Sequence, residues 1–76
     1  MDLLESVADS LAQQALAANT DMDDNTLVDK MANVMGASSS TLQEAFLTAV
    51  RIRRAEFRAL AELKKFKDRP AARPPG

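Results

Sequence analysis

Thr41–Lys67, TLQEAFLTAVRIRRAEFRALAELKKFK, is uninterrupted by Gly, Pro or a cluster of loop-forming residues and holds all three phenylalanines of the chain. Set at about 100° per residue, Leu42, Ala45, Phe46, Ala49, Val50, Phe57, Leu60, Ala61 and Leu63 fall in one broad stripe. The stretch reads as a single long helix, and its stripe requires a cover. The residues N-terminal to it supply that cover.

Asp2 to Ala18 places Leu3, Leu4, Val7, Ala8, Leu11, Ala12, Ala15 and Ala18 at three- and four-residue spacing, the pattern of an amphipathic helix. Asp2 and Glu5 suit its N-terminus, where the helix dipole favours negative charge. Its alanines make a narrow face that lets another helix come close. Asn19 to Asn25, NTDMDDN, reads as a loop leading to a second helix start, with Thr26 and Asp29, or Asp24 alone, as the cap. Asp21, Asp23 and Asn25 match the first three ligand positions of an EF-hand loop, but Thr26 stands where that loop needs Gly and Ala32 where it needs Glu. The stretch is therefore read as a solvated acidic loop, with no metal site.

Leu27, Val28, Met31, Val34 and Met35 continue at helical spacing, with Gly36 placed for a left-handed C-terminal cap. Ala37 to Ser40 then forms a tight turn, and Ser40 with Gln43, or Thr41 with Glu44, forms a capping box for the long helix. Pro70 stops that helix, because the residue before a proline avoids the helical region. The fold expectation is all-α: three helices at about residues 2–18, 26–35 and 40–67, one small domain over 1–67, and a mobile tail over 68–76.

The chain has 76 residues with no Cys and no His. This removes thiolate nucleophiles, Cys-type zinc sites, His bases and His metal ligands together. The serine triplet Ser38–Ser40 has no His and no nearby Lys to activate it. No enzyme activity, cofactor or small-molecule substrate is expected. No apolar run approaches the roughly 20 residues of a membrane span, and the acidic start MDLLESVADSL is unlike a secretory leader, so a cytoplasmic location is expected. A chain this short buries only about 60% of its unfolded surface, which makes self-association or a protein partner the default expectation.

The net charge of −1 conceals a division. Residues 1–50 carry eight acidic side chains against Lys30 alone, a net −7, whereas residues 51–76 carry six Arg and three Lys against Glu56, Glu62 and Asp68, a net +6. Such asymmetry speaks to surfaces and partners. Either the halves fold back and neutralise each other, or the basic sector is a strip for phosphates or an acidic protein surface. Its candidate residues are Arg51, Arg54 and Arg58, in a row at i, i+3, i+7, with Lys64 and Lys65 beyond them. Arg53 and Glu56 fall inside the apolar stripe and are expected as a partly buried pair at a subunit contact.

The join of the second and third helices, Met31 to Ala45, resembles the helix-turn-helix of bacterial DNA-binding regulators, including those of the lactose-repressor and arabinose-regulator types. Ala32 stands where the helices of that motif cross, and Gly36 at the turn glycine. Met31, Met35, Ala37, Leu42 and Ala45 match the flanking apolar positions, and Ser38 and Thr41 the Ser-x-x-Thr opening. The resemblance implies that Ser39, Ser40, Gln43 and Glu44 face a DNA groove, Gln43 suiting an adenine edge, with Ser38 as a cap near a phosphate. It covers about a quarter of the chain. Two classes of function follow. One is a non-enzymatic helical interaction or assembly module that docks on itself or a larger protein, which accounts for the acidity and for the absence of Lys and Arg between Met31 and Val50. The other is a nucleic-acid-binding regulator or packaging factor, which accounts for the corner pattern.

Overall fold

The computed structural model describes residues 2–68, which form three helices and no strand: α1 Leu3–Ala18, α2 Thr26–Ser38 and α3 Ser40–Lys67. The expected tail lies outside the described residues except for Asp68, whose backbone N–H donates to the Lys64 carbonyl at the end of α3 (2.9 Å). At the start of α1, Asp2 Oδ1 accepts from the Glu5 backbone N–H (2.8 Å), satisfying one of the orphan donors of a helix N-terminus.

α2 runs to Ser38, three residues beyond its expected end, and only Ser39 separates it from α3. Gly36 is therefore helical, and no described glycine has a positive φ, which corrects the expectation of a left-handed glycine cap. The physical reason is that Ser39 satisfies both helix ends itself. In an extended conformation, its backbone N–H donates to the Met35 carbonyl (2.7 Å) and its Oγ accepts from the Leu42 N–H (3.0 Å). Ser39 is thus the N-cap of α3, in place of either expected capping box. What Gly36 provides is room. A Cβ there would stand 2.7 Å from Gln43 Nε2, so the Gln43 amide folds over the glycine.

The start of α2 is tied to α3 as well. Asn25 Oδ1 accepts from Arg54 Nη1 (2.8 Å), while the other end of α2 is joined to Ser40. With about 1.5 Å of rise per residue, the 13 residues of α2 span about 20 Å, close to the length of α3 from Ser40 to Arg54. Both ends of α2 therefore lie against α3, and the pair is a closed αα-hairpin. α1 packs on the same N-terminal half of α3, using Ala8, Ala12, Ala15 and Leu16, all buried.

Phe46 and Val50 are the largest fully buried side chains, and the core around them consists of the four α1 residues, Val28, Ala32 and Ala49. Leu11, Leu27, Met31, Met35, Leu42, Ala45 and Leu47 are partly buried around it. Burial ends there. Arg53 and Arg54 are half-buried, and every described residue beyond them is exposed. The stripe read from Leu42 to Leu63 is covered only as far as Val50, because α2 reaches no farther than Arg54. Phe57, Leu60 and Leu63 are 42%, 53% and 47% exposed. The radius of gyration of 16.5 Å, against about 11 Å for a compact chain of this length, reflects the projecting arm.

Two stability outcomes follow. Phe46→Ala should cost about 3–5 kcal/mol, while Leu60→Ala should change single-chain stability by less than about 0.5 kcal/mol; urea unfolding of dilute protein checks both. Gly36→Ala should stabilise by up to about 1 kcal/mol, since the only obstacle is the flexible end of Gln43. A loss of stability there would mean that the Gln43 amide cannot move aside for the added Cβ.

Candidate interaction surface

Charged side chains at helical spacing inside an apolar stripe must find partners, and the boundary of the covered half is where they do. Arg53 stands in register with Val50 and Phe57 on α3, and Asp9 with Ala12 and Leu16 on α1. The two meet in a two-pronged ion pair, with Arg53 Nε donating to Asp9 Oδ1 (2.8 Å) and Arg53 Nη2 to Asp9 Oδ2 (2.6 Å). Their side chains are 28% and 19% exposed. Arg53 Nη1 also donates to Glu56 Oε1 (3.1 Å). Arg53 and Glu56 thus pair within one chain, with Glu56 exposed, and the closer partner of Arg53 is Asp9 of that same chain.

The electrostatics follow the geometry. Hydrogen bonding from Arg53 holds the Asp9 carboxyl below the usual carboxylate range, helped by a bond from Gln13 Nε2 and opposed by partial desolvation. The same bond from Asp9, with a second from Glu56, pushes the Arg53 guanidinium further up. Asp24 is also held low, first by the backbone N–H of Thr26 and then by its hydroxyl. The Asp24 carboxylate accepts from the Thr26 N–H (2.9 Å) while the Asn25 side chain is turned toward α3.

The arginine row divides. Arg54 donates to Asn25 Oδ1 and to the Asp24 carbonyl (3.2 Å), and its Nε is buried with no protein partner. Arg58 Nη2 donates to Asp23 Oδ1 (2.6 Å); both side chains are more than half exposed, so the pair is worth little. Arg54 and Arg58 thus pin the loop between α1 and α2, which Asn19 Nδ2 also braces by donating to the Asp24 carbonyl (2.9 Å). Arg51, Lys65 and Lys67 are exposed and make no ion pair among the described residues, and Lys64 pairs with Asp68 one turn on (2.8 Å).

At the other end of α3, Ser38 and Ser40 are exposed, while Ser39 is half-buried with its hydroxyl committed to Leu42. Gln43 is half-buried over Gly36. The two candidate groups therefore lie apart: Ser38–Ser40 and Gln43 at the junction of α2 and α3, and the basic residues along α3 from Arg51 onward. Between α1 and α3 lies an open groove lined by Ala8, Ala45, Ala49 and Ile52 together with Glu5 and Asp9. Beyond Arg54 the exposed apolar side chains are Phe57, Leu60, Leu63 and Phe66.

Comparison with known proteins adds no relative: no protein-family model, no curated protein and no solved structure matches the chain. Among the described residues no helix is long and apolar enough to cross a membrane.

The Asp9–Arg53 clasp has a pH signature. The folded-state pKa of Asp9 is depressed, so its contribution is fully present above the unfolded value near 3.9 and is lost as pH falls through the lower folded value. Asp9→Asn should remove that component, leaving stability less dependent on pH below about 4. Urea midpoints measured from pH 2 to 7 test this, and an unchanged acid limb in Asp9→Asn would refute it.

Proposed function

We propose that the chain is a small non-enzymatic interaction and assembly module whose working surface is the C-terminal half of α3. The observation that carries this reading is the exposure of Phe57, Leu60 and Leu63 on a helix that continues past its own cover. Large apolar side chains grouped on one element, rimmed by charge, are the usual mark of a docking surface. The reading gains support from how the boundary charges are used. Arg53, Arg54 and Arg58 are bound to α1 and the acidic loop of their own chain, which leaves the apolar face as the larger uncommitted feature.

Nucleic-acid binding is the second reading, and the observation favouring it is that Arg51, Lys65 and Lys67 are exposed without ion-pair partners among the described residues. The corner is shorter than the three or four residues usual in a helix-turn-helix turn, since Ser39 alone separates α2 from α3.

The test compares the chain with the double substitution Leu60→Glu, Leu63→Glu. The single chain should keep its fold by circular dichroism, while self-association by light scattering, or capture of a protein partner, should fall at least tenfold. In parallel, duplex DNA is titrated at low and moderate salt. Salt-sensitive DNA binding lost on Arg51→Ala, with association unaffected by the double substitution, would replace the module reading with the nucleic-acid one.

A further inference from the structure

Along α3, Leu42, Ala45, Ala49, Ile52, Glu56, Ala59, Leu63 and Phe66 are spaced alternately by three and four residues. That is the seam of a coiled coil, where apolar positions recur every 3.5 residues. The seam begins inside the folded part, where Ala45, Ala49 and Ile52 line the groove against α1. It continues out along the arm, where Leu63 and Phe66 are 47% and 62% exposed. A groove lined by small residues at one end and large exposed side chains at the other, on one helix, form a self-complementary surface.

We infer that this surface takes a second copy of the chain, in an antiparallel pair centred near residue 54, the arm of each copy lying over the α1–α3 groove of the other. The inference rests on the module reading above and names its partner. In an antiparallel pair with this centre, the layers are Leu42 with Phe66, Ala45 with Leu63, Ala49 with Ala59, and Ile52 with Glu56. Every seam residue meets a seam residue. Sliding the pair by a heptad in either direction leaves Leu63 and Phe66, or Leu42 and Ala45, opposite nothing in the seam. Large meets small where Leu63 approaches Ala45, and two alanines in the Ala49–Ala59 layer let the backbones come close.

Charge selects the same orientation. Residues 1–50 carry −7, whereas between residue 54 and Asp68 the cations Arg58, Lys64, Lys65 and Lys67 outnumber Glu56, Glu62 and Asp68 by one, so antiparallel copies set the slightly basic arm of each against the acidic half of the other. Parallel copies would set like charge beside like. Glu56 enters the seam already bonded to Arg53, and a paired charge in an otherwise apolar seam specifies register. The two-fold arrangement is closed, each copy using the same patch, so association stops at two.

The absence of cysteine makes the geometry directly readable. Ala45→Cys, at the half-buried wall of the groove, and Leu63→Cys chains are prepared separately, then oxidised alone and mixed. The antiparallel pair predicts a disulfide-linked dimer in the mixture at least fivefold above that of either chain alone. Light scattering of the unsubstituted chain should show twice the chain mass at high concentration, with the Leu60→Glu, Leu63→Glu form staying at one. Each variant linking to itself as readily as to the other overturns the antiparallel geometry. A mass of one chain at all concentrations up to about 1 mM, the weak end of specific affinity, overturns the pair altogether. Adsorption of that single chain to anionic vesicles or to DNA would then assign the face to a different occupant. If the chain stays single yet captures another protein through Leu60 and Leu63, this inference fails while the module reading stands; if neither occurs, both fail.

Discussion

A helix of 28 residues is covered by helices of 16 and 13, and that mismatch of length governs the rest of the molecule. α2 is joined to the first residue of α3 and tied back to Arg54, so its reach is fixed by its residue count. α1 adds width to the same half and not length. The core must therefore end near Val50, and the remaining turns of α3 must stand in solvent with whatever side chains the sequence gives them. Here those include Phe57, Leu60, Leu63 and Phe66 among the charged residues, where solvated helix turns commonly carry polar residues.

The end of the core is marked by charge. Arg53 and Asp9 intrude at core spacing on two different helices, and each would be costly there alone. Together they form a two-pronged bond that fixes how α1 lies on α3, with a geometry that Lys could not reproduce. Beside them, Arg54 and Arg58 hold the loop between α1 and α2 through Asn25, the Asp24 carbonyl and Asp23. The acidic and basic halves of the chain thus neutralise each other at one place, the boundary. This leaves Lys65 and Lys67 on the surface of the arm beyond it with no ion-pair partner among the described residues.

The three helices were legible in the sequence because their signals are local: apolar spacing, alanine faces, and a loop of Asp, Asn and Thr. The Phe46 and Val50 core was legible for the same reason. The far end of the stripe was misjudged because periodicity tells which face of a helix is apolar but not how far its cover extends; that depends on where α2 begins and ends in space. Gly36 was misassigned because a glycine near a helix end signals a left-handed cap only if no neighbour can close the turn, and Ser39 could. The partnership of Arg53 with Asp9 joins residues 44 apart. Its trace was nonetheless present as two opposite charges, each occupying a core position on its own helix.

The composition of the core gives the uncovered arm its weight. Five of the nine buried residues are alanines, which bring helices together but remove little surface from water. Phe46, Val50, Val28 and Leu16 supply most of the apolar burial. Beyond the core, α3 exposes Ile52, Phe57, Leu60, Leu63 and Phe66, a larger set of apolar side chains than it buries. At about 25 cal/mol for each Å² of apolar surface removed from water, covering the half of these side chains that is exposed would add to what the core supplies. A small domain has little stability to spare, so any association through the arm adds to the stability of the fold as well as joining two molecules. Folding in this chain draws on one stripe of one helix, divided at Arg53 into a part that the chain covers itself and a part that it leaves exposed.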